Sequence, residues 1–104
     1  MATICQALST PDDNLWTFAL PDARGLGRAI AFMFPFIADK ATWIRPPDVM
    51  YVDHWPVCHP SLLFAGLALN QPAYLDLWQR LDPEPPVHEI VRNYPMRQPM
   101  LWVL

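Results

Sequence analysis

Apolar positions along this chain repeat mostly at helical spacing, in short blocks separated by prolines. Met1 to Leu8 places Ile4 and Leu8 four residues apart and predicts a short helix ending before Ser9-Thr10-Pro11. Asn14 to Leu20 (NLWTFAL) alternates in a manner that predicts an extended, β-like stretch closing on the turn Pro21 to Gly25. The clearest helix spans Gly25 to Asp39, where Leu26, Ile30, Met33, Phe34 and Ile37 fall on one stripe. Pro35 inside it removes one backbone donor and predicts a kink.

Thr42 to Pro56 reads as a long aromatic-rich loop holding Trp43, Tyr51 and Trp55. Beyond it, His59-Pro60-Ser61 opens a helix with proline in its first turn. That helix is apolar on nearly every side, as helices packed between others are. Asn70 is the expected N-cap of the following helix, which has Pro72 in its first turn and Tyr74, Trp78 and Leu81 on its packed face. The two helices, Pro60–Leu69 and Pro72–Leu81, predict an antiparallel αα-hairpin. Pro83, Pro85 and Pro86 then break the chain, Val87 to Arg92 forms a last short helix, and Asn93 to Leu104 is an extended tail. The predicted class is all-α, with helical hairpins joined by long Pro-rich loops.

Composition sharpens this picture. Of 104 residues, 53% are apolar and only 16% charged, so the chain has more greasy helix face than a few short helices can hide from water. A net charge of −3 without a basic cluster argues against nucleic acid as a partner. The longest apolar run, Ala29 to Ala38 (AIAFMFPFIA), is about half of what a membrane span needs. The first residues lack the basic and apolar regions of a secretory signal. Cys5 and Cys58 allow one disulfide, although two packed thiols are the simpler reading.

Several residues carry candidate chemistry. His54, Cys58 and His59 have metal-ligating side chains, but a closed zinc site needs four ligands, so no metal is expected. Tyr51, Asp53 and His54 offer acid and base groups in one loop, without a fixed cation to complete a site. Asp12 and Asp13 follow Pro11 in a pattern that predicts a turn. Arg24, Arg28 and Arg45, with Trp16 and Trp55, could line a cleft for an anionic sugar: guanidinium groups bind carboxylates bidentately, and aromatic faces suit a pyranose ring.

The run ICQALSTPDDNLWTF (4 to 18), LPDARG (20 to 25), AIAFMFPFIADKATW (29 to 43) and WPVCHPSLLFAGLALNQPAYLDLWQRL (55 to 81) resembles, in that order, the late part of the alginate lyase family. The ending VRNYPMRQPMLW is similar to the tail of its bacterial members. The resemblance covers nearly the whole chain. It implies a segment of an (α/α) toroid, exported to the periplasm or beyond, that cleaves uronate polymers by β-elimination. Such chemistry needs a positioned acid–base group and charge stabilisation of the uronate carboxylate. The family's Asn-His pair has no counterpart in this sequence, so no catalytic residue carries over. Ala23 stands where the family usually has glycine; a positive φ there would cost alanine about 1 kcal/mol.

The expectation is a C-terminal segment of such a toroid, inactive by itself and without a cofactor. It would meet acidic polysaccharide only through the parent domain, its open faces covered by helices lying outside the sequence or by self-association. The rival expectation is a stand-alone, non-catalytic helical module for protein interaction or carbohydrate binding.

Overall fold

A computed structural model describes residues 1–46, 50–94 and 96–103. Among them every regular element is helical: α1 (Ala2–Leu8), α2 (Leu26–Ala38), α3 (Pro60–Ala68), α4 (Pro72–Arg80) and α5 (His88–Arg92). Short 3-10 turns lie at Lys40–Thr42, Val52–His54 and Pro99–Trp102. The protein is all-α, as its periodicity predicts. Residues 47–49 of the aromatic-rich loop and the end of the tail lie outside the described residues.

The packing centre is α3. Pro60 and the run Leu62 to Gly66 are buried, with Phe64 fully so, and α1, α2 and α4 all pack against this helix or its flanks. Phe34 of α2 meets Tyr74 of α4 with ring centroids 4.8 Å apart. Gly66 lets α4 approach closely: a methyl group there would lie 2.6 Å from Leu75 Cδ2.

Three local expectations are corrected. Within Asn14 to Leu20, Leu15 to Thr17 is a turn rather than extended, because the Asn14 side chain accepts the Trp16 N–H at 2.9 Å while its carbonyl accepts the Thr17 and Phe18 N–H groups. Asn70 does not cap α4; it adopts φ 51 and ends α3. Its N–H bonds to the Leu67 carbonyl and the Gln71 N–H to that of Gly66, the paired bonds of a Schellman turn, and Asn tolerates the left-handed backbone this requires. Met33 leaves the inner stripe and lies on the outer side of α2 at 39% exposure.

The shape is a flattened slab, 40 × 32 × 22 Å, about two helices thick. Its accessible surface is 7342 Å². A compact monomer of the same 12.0 kDa mass would expose roughly 6,000 Å². Large apolar side chains share in this exposure: Met1, Ile4 and Leu8 at α1, Phe32 and Met33 on α2, and Leu101 and Trp102 in the last turn are all exposed.

Candidate functional site

Arg24 and Arg28 converge on one acidic residue. Arg24 Nε pairs with Asp22 Oδ2 at 2.7 Å, and Arg28 Nη1 donates to the Asp22 carbonyl at 3.3 Å. Both groups of the ion pair are well exposed, so the contact orders the turn more than it stabilises the fold. Arg45 is exposed beside the residues outside the description. Trp55 is half-buried and lines a hollow of about 340 Å³ with Tyr51, Glu89 and Asn93. The Glu89 carboxylate there pairs with Arg92 at 2.6 Å, and no arginine lines the hollow, which makes it a poor seat for an anionic sugar.

Trp16 corrects the expected cleft. Only 3% exposed, its indole is a core group beside Cys5 and Ile30 and offers no free face for stacking. The asparagine turn before it swings the ring inward. None of the three principal hollows is lined by more than one of the five candidates.

The remaining candidates resolve locally. Asp13 closes a turn, its N–H donating to Thr10 Oγ1 at 3.0 Å and its carbonyl accepting from Thr10 N–H. Tyr51 takes φ 60 and its ring lies 6.4 Å from that of His54. Among the described residues no three of His, Cys, Asp and Glu gather as a metal-holding group. Cys5 and Cys58 are both free thiols.

A hollow of about 650 Å³ is lined by Cys58, Trp78, Tyr94, Met96 and Arg97, of which only Cys58 was given a candidate chemical role by the sequence. Cys58 donates its S–H to the Trp78 carbonyl at 3.3 Å and its N–H to the Asp82 carbonyl at 2.9 Å. Tyr94 O–H donates to that same Asp82 carbonyl at 3.4 Å. The His59 ring lies nearly parallel to Tyr94, centroids 6.1 Å apart. These bonds tie the start of α3 to the end of α4 and the end of α5.

Electrostatics keep the group neutral. Burial, reinforced by the Asp82 carboxylate, pushes the Cys58 thiol up to about 11. Burial does the same to the Tyr94 phenol, with Cys58 and Asp82 adding to it, raising it to about 12. Burial lowers His59 below its usual value, and the charged amino terminus adds to the effect. A protonated thiol that is already donating to a carbonyl is a poor nucleophile. The arrangement braces three segments. Trp78 Nε1 beside it is buried without a hydrogen-bond partner.

No known protein family, no curated protein and no solved structure matches this chain. No helix among the described residues is long and apolar enough to cross a membrane.

Proposed function

We propose that this chain is a structural segment of a larger, alginate-lyase-like helical ring, completed by helices supplied from outside the sequence. The observation that carries the reading is a surface roughly 1,300 Å² larger than that of a compact monomer, together with exposed apolar side chains on α1, α2 and the last turn. Faces of that kind are what neighbouring helical pairs cover in a toroid. The tight turn joining α3 to α4 suits the hairpin unit from which such rings are built.

Motif order along the sequence supports the uronate-polymer class of substrate. In this reading β-elimination is performed by residues of the covering helices. Arg24, Arg28 and Arg45 supply cationic surface toward the carboxylates of an acidic polysaccharide, and Trp55 supplies an aromatic edge. Trp16 serves only the core.

The coding sequence immediately upstream of Met1 is the direct test. An in-frame extension encoding further helical hairpins and an Asn-His motif is expected, and its absence would overturn the reading. The chain alone, mixed with a uronate polymer, should generate no unsaturated-product absorbance. A second reading, a self-standing binding module, is favoured by the hollow beneath Tyr94 and Arg97. It requires a single sharp thermal unfolding transition for the isolated chain and no binding of hydrophobic dyes.

A further inference from the structure

Tyr51, Trp55, Glu89 and Asn93 share the hollow of about 340 Å³, with the buried Ile90 in its wall. This hollow is rich in acceptors and short of donors. Asn93 Nδ2 is occupied by the Glu89 carbonyl at 2.7 Å, and Glu89 Oε1 accepts from Arg92 at 2.6 Å. Glu89 Oε2 and Asn93 Oδ1 remain as acceptors that no donor reaches among the described residues. No lysine or arginine lines the hollow among those residues. The Arg92 side chain is 66% exposed, so its pair with Glu89 is a weak, solvated one. Tyr51 adds an independent observation. Its backbone is left-handed, at φ 60 and ψ 24, a strained state for a residue with a Cβ. Burial of the ring does not offset that strain, because the residue stays 41% exposed. Backbone strain without a packing return gathers where a ligand is clamped.

We propose that this hollow binds a primary alkylammonium group, with its N–H donors on Glu89 Oε2 and Asn93 Oδ1 and its charge against the Tyr51 and Trp55 rings. Aromatic faces carry the negative part of the ring quadrupole and attract organic cations. Free oxygens beside them accept the N–H groups, and no resident cation of the hollow competes. Its volume clears the roughly 300 Å³ at which small-ligand clefts begin. The net charge of −3 adds a long-range attraction of the same sign. The ligand is opposite in charge to a uronate polymer, so the inference goes beyond the ring reading. Trp55 is the one residue the two have in common.

Titration of the full chain with n-butylammonium chloride tests this, followed by amide and indole NMR shifts against sodium chloride at equal ionic strength. Shifts confined to the surroundings of Tyr51, Trp55, Glu89 and Asn93, with a Kd on the order of 1 mM, are expected. Tetramethylammonium, which has no N–H, should bind about 10-fold more weakly. Glu89→Gln should weaken butylammonium binding about 10-fold, and Arg92→Gln, which removes the competing cation, should strengthen it about 3-fold. Tyr51→Gly should abolish binding while holding or raising the melting midpoint, because glycine accepts the left-handed backbone. A lowered midpoint with binding retained would make Tyr51 a packing residue and overturn the proposal. So would shifts no larger than those in sodium chloride, equal binding of tetramethylammonium, or binding indifferent to both Glu89→Gln and Arg92→Gln. The upstream-coding test of the ring reading is untouched by any of these results, so the two ideas fail separately.

Discussion

The imidazole of His59 caps α3: its Nδ1 accepts the backbone N–H of Ser61 at 3.3 Å and lies 3.1 Å from the Ser61 hydroxyl. Acceptance at Nδ1 places the ring proton on Nε2, so a second proton would destroy the cap. Folding already lowers the affinity of this ring for that proton, through burial first. The unfolded chain, with an ordinary value of 6.5, then binds more protons than the folded one. Stability contributed by neutral His59 is therefore complete above 6.5 and lost as pH falls from there through the lowered folded value. Thermal melts between about pH 7.5 and 5 should show a falling midpoint. His59→Asn, which keeps a capping oxygen without a titrating ring, should flatten that slope, while His59→Ala should cost about 1 kcal/mol at neutral pH.

The turn before α2 holds one badly placed residue and one indispensable one. Ala23 adopts φ 65, where a Cβ is strained, and its N–H closes the turn on the Leu20 carbonyl at 2.8 Å. Ala23→Gly should stabilise the protein by about 1 kcal/mol, a rise of about 4–8 °C in the melting midpoint. Gly25 has an ordinary extended backbone, but a Cβ on it would collide with the Phe18 carbonyl oxygen. Gly25→Ala should therefore destabilise, and the two variants should move the midpoint in opposite directions.

How far the sequence discloses this fold depends on which interactions compete locally. Pro60 and Pro72 mark true helix starts because a residue lacking an N–H fits only the first turn. Asn70 misleads because the same side chain suits an N-cap and a left-handed helix end, and only the carbonyls of Gly66 and Leu67 decide between them. The alternation at Leu15, Trp16 and Phe18 suggests a strand, yet the Asn14 side chain wins the Trp16 N–H and buries that indole, removing it from any sugar cleft. Met33 fits the inner stripe by spacing but lies outside it, because α2, polar only at Arg28, has too little polar surface to mark its outer side. The brace of Cys58, Asp82 and Tyr94 is invisible beforehand because its acceptors are backbone carbonyls, which no residue code specifies.

Close approach of α3 and α4 depends on Gly66. A methyl group there would lie 2.6 Å from Leu75 Cδ2, 2.8 Å from its Cγ and 3.3 Å from its backbone N. Rotating the leucine relieves only part of this crowding, because the backbone contact stays tight. Gly66→Ala should cost about 1–3 kcal/mol by overpacking. Leu75→Ala alone opens a gap at the same contact. Chemical denaturation of both single variants and the double variant should give a double-mutant loss smaller than the sum of the single losses. Additive losses would show that the two side chains do not meet.

Cys58 provides a check on the brace that does not require unfolding the protein. Its thiol is held protonated, up to about 11 against an ordinary 9.0, by burial and then by Asp82. Thiolate is the reactive species, and two pH units mean about 100-fold less of it at any pH below 9. In a Cys5→Ala background, which leaves Cys58 as the sole thiol, labelling by a disulfide reagent at about pH 8 should be slowed about 100-fold relative to the urea-unfolded chain. Because the folded value is the raised one, the linked stability is complete below 9.0 and fades as pH climbs through about 11. Tyr94→Phe removes the phenol that shares the Asp82 carbonyl with the Cys58 N–H and should loosen the wall over the thiol. Labelling of native Cys58 should then accelerate while the urea-unfolded rate stays constant. An unchanged native rate would mean that Tyr94 does not help to shield the thiol.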